Sequence, residues 1–338
     1  MSELAPYQPS TSPAAYDPAT LAVLAAMEQA AEEHLDRIRP HNTKRGYEND
    51  WNLWAEFHSW LAERTGHPLA LTDVTKGTLV GFVIWLDTVK IAAPASIDRR
   101  ITGVTVTARS LGVQVSKDAT VAARKALKPL KLDPDRIARG RGKAPAATLQ
   151  QLQQMADAAP AGLAGLRDRA LWLMAFGMAG RSSEVAALRT ESIALVGKGL
   201  DVHVPSVKGL PARKVRVAYG KNPDTCPVRA WLVWRAAAGL TAGPAFRPIS
   251  VHGQLGTDGL TASGCQEIIS RGAERAGLAV RLTGHSMRSG FITTARQAGK
   301  REEKIRAQSG HAANSPVFWG YIQEADAWTD AASEDIGL

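Results

Sequence analysis

Between Arg281 and Tyr321 the chain reads RLTGHSMRSGFITTARQAGKREEKIRAQSGHAANSPVFWGY, a stretch that sets cations and proton carriers beside a phenol. His285 stands three residues before Arg288, His311 follows Gly310, and Tyr321 lies ten residues beyond His311. There is no cysteine here, and the only acids are the adjacent Glu302 and Glu303. That is a poor donor set for a metal, and none is expected. On a helix, residues three apart share a face, so His285 and Arg288 would be presented together. Upstream, Arg181 sits behind a glycine at a helix start, and Lys208 lies at a turn between two alternating runs.

Cleaving a phosphodiester without metal needs these residue types. A nucleophile attacks in line, cations hold the nonbridging oxygens as charge builds, and an acid protonates the departing oxygen. Arginine suits the second task because its planar fork meets two oxygens and keeps its charge. Each piece alone has an ordinary reading too: a helical surface pair, a core tyrosine after Phe-Trp, a turn lysine. Order and spacing together favour the anion site.

The elements that must carry these residues follow from periodicity. Residues 1–20 are rich in Pro, Ser and Ala and are expected to be disordered. A helix is predicted from about Leu21 to Arg37, with Leu21, Leu24, Met27 and Ala31 on one face. Asn42 or Thr43 would cap the next, in which Tyr47, Trp51, Trp54, Phe57 and Leu61 recur at helical spacing. Three more helices are predicted at about 74–87, 96–111 and 118–130, with Asp118 as the last N-cap. They complete a helical domain over 21–132.

Residues 133–146 read as an extended basic linker, which either follows a phosphate backbone or serves as a solubilising hinge. A second domain over 147–326 opens with helices from Thr148 and over 165–177. Two alternating runs, LDVHVPSV and KVRVAY, then predict a hairpin with Lys208 at its turn. Helices near 227–238, 261–276 and 286–298 follow. The fold class expected is mainly α, with a small antiparallel sheet in the second domain. Residues 327–338 form an acidic tail with Trp328, Ile336 and Leu338 as apolar points.

Lys and Arg outnumber Asp and Glu by 41 to 32 across 338 residues, a net charge of +9. From Ala95 to Lys143 the ratio is 12 to 4, while residues 1–40 and 322–338 are acidic. An excess concentrated in the middle points to a polyanionic partner, against the alternative of a solvated face. The candidate contacts are Lys44, Arg45, Arg99, Arg100, Arg124, Lys125, Lys128, Arg139 and Arg141. Only Cys226 and Cys265 are present, and no long apolar run occurs, so no membrane association and a reducing, cytoplasmic location are expected. No GxxxxGK[ST] or GxGxxG motif follows a strand, which argues against nucleotide hydrolysis and dinucleotide binding; no cofactor is expected.

The ordered set resembles the tyrosine site-specific recombinases (phage integrases and Xer-type and Cre-type enzymes), with a layout nearest the Cre type. GRSSEVAALR resembles the first arginine box, VKGLPARKVRV the lysine hairpin, TGHSMRSGFITTARQAG the His-x-x-Arg box, SGH the fifth position, and FWGYI the nucleophile segment. The preceding helical domain resembles a core-binding domain. The resemblance implies that Tyr321 forms a 3′-phosphotyrosyl link and that Arg181 and Arg288 clamp the nonbridging oxygens. It assigns Lys208 to protonate the leaving oxygen, with Lys214 as the competing choice. His285 would assist proton transfer, His311 would hydrogen-bond the phosphate, and Glu184 would support the site from behind.

It further implies a homotetramer on double-stranded DNA with paired inverted half-sites, a Holliday junction intermediate, and a tail that docks into a neighbouring subunit. Resealing would need no nucleotide cofactor, and the enzyme would be nucleoid-associated when bound. An inactive accessory protein of the same fold, or a type IB topoisomerase or telomere resolvase, is the alternative.

Overall fold

A computed structural model describes residues 16–207, 211–327 and 329. The chain divides into two compact units, with the boundary between Gly142 and Lys143. No described helix is long and apolar enough to cross a membrane.

In the first unit, α1 (Pro18–Ile38) starts earlier than its periodicity suggests because Asp17 accepts from the amides of Ala19 and Thr20, with Pro18 at the first helical position. Residues 18–20 are therefore helical, and residues 1–15 of the expected disordered tail lie outside the described residues. Leu24 and Met27 are exposed on α1, so its apolar stripe is not part of the core.

The core is built by α2 (His41–Thr65), α3 (Lys76–Thr88), α4 (Pro94–Ser110) and α5 (Lys117–Leu127). Trp54, Phe57, Leu79, Phe82, Leu86, Ile97, Ile101 and Leu127 are nearly inaccessible. The Trp54 and Phe82 rings meet edge to face at 5.1 Å, and the Trp54 indole donates to the Leu71 carbonyl at 2.9 Å. Two caps differ from expectation. α2 begins at His41 behind Pro40, with no side-chain cap, and Ser116 rather than Asp118 caps α5, accepting from Ala119 at 3.1 Å. Asp118 instead adds negative charge in the first turn.

The stretch expected to be extended contains α6 (Pro134–Ala138), capped by Asp133. Asp87 on α3, mostly buried, collects Arg136 Nε at 3.0 Å and Arg139 Nη1 at 2.7 Å. A buried carboxylate needs such countercharges, and they hold this segment against the first unit.

The second unit opens with α7 (Leu149–Asp157), closed by a reciprocal Thr148–Gln151 cap, and α8 (Leu163–Gly177), buried along most of its length. α9 (Ser182–Ala186) leads into an antiparallel sheet of β1 (Ile193–Val196), β2 (Gly199–Val204) and β3 (Arg213–Ala218), in the order β1-β2-β3. Val202 pairs with Val215 and Leu200 with Val217, and these four side chains are buried. β1 was not expected. Its IALV run does not alternate, and only Ile193 is buried.

Five helices complete the unit: α10 (Pro227–Ala237), α11 (Ala262–Arg275), α12 (Gly284–Gln297), α13 (Glu302–Ser309) and α14 (Pro316–Ala325). α12 passes so close to the start of α7 that a Cβ on Gly290 would lie 2.2 Å from the Ala147 carbonyl oxygen. The Ala147 amide donates to Ser286 O at 2.9 Å, which fixes that approach. The helix carrying His285 and Arg288 is therefore held by backbone contact as well as by apolar packing. Residues 328 and 330–338 of the expected tail, including Trp328, Ile336 and Leu338, lie outside the described residues.

Candidate active site

The turn after α8 supplies the first arginine. Ala179 adopts a left-handed backbone (φ 49°), unusual for a residue with a Cβ and costing about 1–3 kcal/mol. The chain then reverses through Gly180, and Arg181 becomes the residue that opens α9. Glu184 reaches back to accept from the Arg181 amide at 2.7 Å and from its Nη1 at 3.1 Å. Only 1% of Glu184 is exposed.

α12 carries His285 and Arg288 one turn apart. Arg288 is buried, donating through Nη1 to Ala179 O at 2.7 Å and through Nη2 to the His311 ring, 3.0 Å from Nε2. Burial first, and then the charge of Arg181, bring its guanidinium down to about 9, opposed by Glu184 and Tyr321. The strained turn at Ala179 thus has a use: it aims a carbonyl at the second arginine.

His311 follows α13 through Gly310, whose φ of 67° is the left-handed conformation that ends a helix. Ser309 Oγ lies 2.9 Å from Nδ1. Arg288 Nη2 lies 3.1 Å from Nδ1 and 3.0 Å from Nε2, so which ring nitrogen carries the proton follows the tautomer and leaves Nε2–H open as a donor. Burial and the charges of Arg288, Arg181 and Arg213 push this imidazole down to about 3, so it is neutral. His285 is more accessible. Partial desolvation, followed by Arg288 and Arg181, holds it below the usual imidazole range.

Tyr321, on α14, packs with Ile292, Ile305, Phe318 and Ile322. The Lys143 ammonium lies 4.5 Å from its ring centre and also pairs with Glu324 at 2.5 Å. The phenol oxygen has no hydrogen-bond partner among the described residues. α14 packs against α12, which carries Arg288, and the Phe318 ring on α14 lies 5.6 Å from the His311 ring.

Of the six candidates for chemistry, Arg181, His285, Arg288, His311 and Tyr321 are thus brought together. Lys208 lies outside the described residues. Lys214, the competing choice, projects from the exposed face of β3, 3.6 Å from Asp201.

Sequence reasoning missed Arg213. It donates to both oxygens of Glu184, at 2.5 Å and 3.0 Å, and from Nε to Gln308 O at 3.3 Å. A signal existed: in RKVRVA the period of two puts Arg213 on the inward face with Val215 and Val217, where a charge needs a partner. Burial raises the Glu184 carboxyl, but the bonds from Arg213 and the Arg181 amide, with both charges, outweigh it, and the net shift is downward. A cavity of about 430 Å³ opens here, lined by Arg181, Arg213, Arg306, Gly310, His311 and Glu303 among others. Three guanidiniums against one exposed-side acid suit an anion.

The candidate contacts of the first unit fall into two groups. Arg45, Lys125, Lys128 and Arg141 are exposed with no ion pair among the described residues. Arg99 clasps the buried Asp50 at 2.6 and 2.7 Å, Lys44 pairs with Asp36 at 2.6 Å, Arg124 lies 3.6 Å from Asp98, and Arg139 is held by Asp87. Arg100 is half-buried, its guanidinium lowered by desolvation against the pull of Asp50.

A mainly helical unit with a small three-stranded antiparallel sheet matches the tyrosine recombinase fold. The lambda integrase (residues 75–356) bound to DNA matches at a TM-score of 0.57 with 14% identity, over 91% of this chain and 98% of that one. The Tn1549 transposon integrase in complex with transposon right end DNA matches at 0.56 with 15% identity, over 86% and 93%. In sequence, the chain is 26% identical over 310 residues to a protein described as an integrase/recombinase xerD homolog from Selenomonas ruminantium, covering 89% of this chain and 87% of the relative. No protein-family model matches the chain. The chain is thus similar in fold to solved integrases and in sequence to a protein described as an integrase/recombinase.

Proposed function

We propose that the chain is a site-specific DNA recombinase that cuts and rejoins DNA through a 3′-phosphotyrosyl intermediate. The observation that carries this reading is the contact of Arg288 with His311, beside a cavity lined by Arg181, Arg213 and His311, in the unit that also holds His285 and Tyr321. In the reaction, the Tyr321 oxygen bonds to phosphorus, the bond to the 5′ oxygen breaks, and a 5′-hydroxyl leaves. Arg181 and Arg288 neutralise the two nonbridging oxygens as charge builds on them. His285, held below the usual imidazole range, is neutral near pH 7 and able to accept the phenol proton. Lys208 delivers a proton to the departing oxygen, and His311 hydrogen-bonds the phosphate. The phosphotyrosyl bond conserves the energy of the broken one, so rejoining is the same step reversed.

On this reading the first unit grips duplex DNA through Lys44, Arg45, Arg99, Arg100, Arg124, Lys125, Lys128 and Arg141, with less from Arg139 because Asp87 already engages it. Exchange between two sites with inverted half-sites proceeds through a homotetramer and a Holliday junction, in the cytoplasm at the nucleoid. The solved lambda integrase tetramer bound to a Holliday junction, similar at a TM-score of 0.53, supports that assembly.

The test is incubation with a pool of nicked duplexes of randomised sequence, whose nick traps the cleaved state. A denaturant-stable adduct mapping to Tyr321 is expected. No adduct, or one on another residue, overturns the proposal, and relaxation of supercoils without strand exchange assigns the chain to the topoisomerase-like alternative.

A further inference from the structure

We infer that Arg213 is a positioning residue of this site: it takes the larger share of the Glu184 carboxylate and so keeps the Arg181 fork free for the phosphate. The inference rests on the recombinase reading and goes beyond the ordered residue set that suggested it.

The geometry around Glu184 is unequal. Arg213 grips both oxygens through its two terminal nitrogens, at 2.5 Å and 3.0 Å. Arg181 gives that carboxylate its backbone amide and a single side-chain nitrogen, Nη1, at the longer distance of 3.1 Å. Its other guanidinium donors have no acceptor among the described residues. Both arginines line the cavity, and Arg181 is the more accessible of the two, with 27% of its side chain exposed against 14% for Arg213.

Arg213 is also built in where Arg181 is not. Its Nε donates to Gln308 O, and its stem lies against Gly310, where a Cβ would come within 3.1 Å. Gln308 in turn donates to Gly177 O at 2.8 Å and Arg216 O at 3.0 Å, tying the end of α13 to α8 and β3. The residue that neutralises Glu184 is thus clamped by the turn leading into His311.

Removing Arg213 leaves a carboxylate that is 1% exposed with Arg181 as its remaining strong countercharge. An uncompensated buried carboxylate is costly, and a two-pronged guanidinium grip is its best relief. Arg181 would then rotate onto Glu184 and withdraw its free donors from the phosphate. Arg213 therefore acts on cleavage without touching DNA.

This predicts a rescue that a purely structural role would not produce. The probe is the nicked duplex selected by the wild-type chain from the randomised pool, and the readout is the rate of adduct formation alongside DNA affinity. R213A should cleave on the order of 10²-fold more slowly, the effect of losing one oriented donor, with affinity changed only a few-fold. Adding E184Q removes the charge that captures Arg181, and R213A/E184Q should recover about tenfold of that loss. If R213A does not fold, R213K carries the test: it keeps the charge but offers a single-point contact, and E184Q should still raise its rate. A double variant no faster than its R213A or R213K parent overturns the inference. A wild-type chain that forms no adduct overturns the recombinase reading instead, which keeps the two failures distinct.

Discussion

Arg288 donates Nη2 to the ring of His311, 3.0 Å from Nε2, and its Nη1 to the carbonyl of Ala179 at 2.7 Å. One buried guanidinium thereby joins the second histidine to the turn that precedes Arg181, although the three positions span more than a hundred residues of chain. Replacing Arg288 by Ala leaves the Ala179 carbonyl unpaired, a cost of about 1–3 kcal/mol in stability. It also removes a clamp on the phosphate, and adduct formation should fall by roughly 10²–10³ while DNA affinity changes little. Loss of affinity in proportion to loss of cleavage would contradict the assignment.

Tyr321→Phe keeps the ring that packs on Phe318 and Ile322 and removes only the oxygen. Since that oxygen has no partner among the described residues, stability should move by less than about 1 kcal/mol. The variant should bind DNA as the wild type does and form no covalent adduct. An adduct detected on denaturing gels would show that another residue is the nucleophile.

The neutral His311 gives stability a pH dependence whose sign can be worked out. Its imidazole titrates near 6.5 when unfolded and near 3 in the folded chain. Between those values the unfolded state holds a proton that the folded state does not, so stability declines as pH falls below about 6.5. His285 and His58 are lowered too and act in the same direction, whereas the stability that Glu184 contributes is lost only as pH falls below about 4.5. His311→Gln should lose less Tm than the wild type between pH 6.5 and 4.5. Parallel curves would mean that the ring is not held neutral by its setting.

Within the first unit, exposed and paired cations should behave differently. If Lys125 and Lys128 meet phosphates, replacing both by Ala lowers the slope of log affinity against log salt by about 0.9 per contact, with thermal stability unchanged. Arg139→Ala should act the other way, weakening the unit by about 1–3 kcal/mol through Asp87 while the salt slope changes little. Titrations at several salt concentrations, paired with melting curves, separate the two outcomes.

Much of this molecule is written in local pattern. Helical spacing marked α2 through α5 because an apolar stripe must be buried wherever it occurs. The alternation in LDVHVPSV and KVRVAY marked β2 and β3 for the same reason. The ordered Arg, His-x-x-Arg, His and Tyr were visible because their residue types, order and spacing can be read along the chain. Local pattern failed where the deciding contact is distant in sequence. Asp133 and Pro134 give a local start signal for the short helix α6, but Asp87, which engages Arg136 and Arg139 from about fifty residues away, is not visible in the linker itself. Ser116 displaces Asp118 as a cap by one turn geometry over another, a choice the composition leaves open.

The sequence by itself determined which side chains are available and on which helix or strand face each must lie. Periodicity even placed Arg213 inward. Only the tertiary structure decided what those side chains do to one another. His311 is neutral because burial, and then the charges of Arg288, Arg181 and Arg213, disfavour its cation, and Arg181 keeps free donors because Arg213 holds their common carboxylate. Charge and desolvation act through space, so their outcome depends on distances that exist only once the second unit has folded.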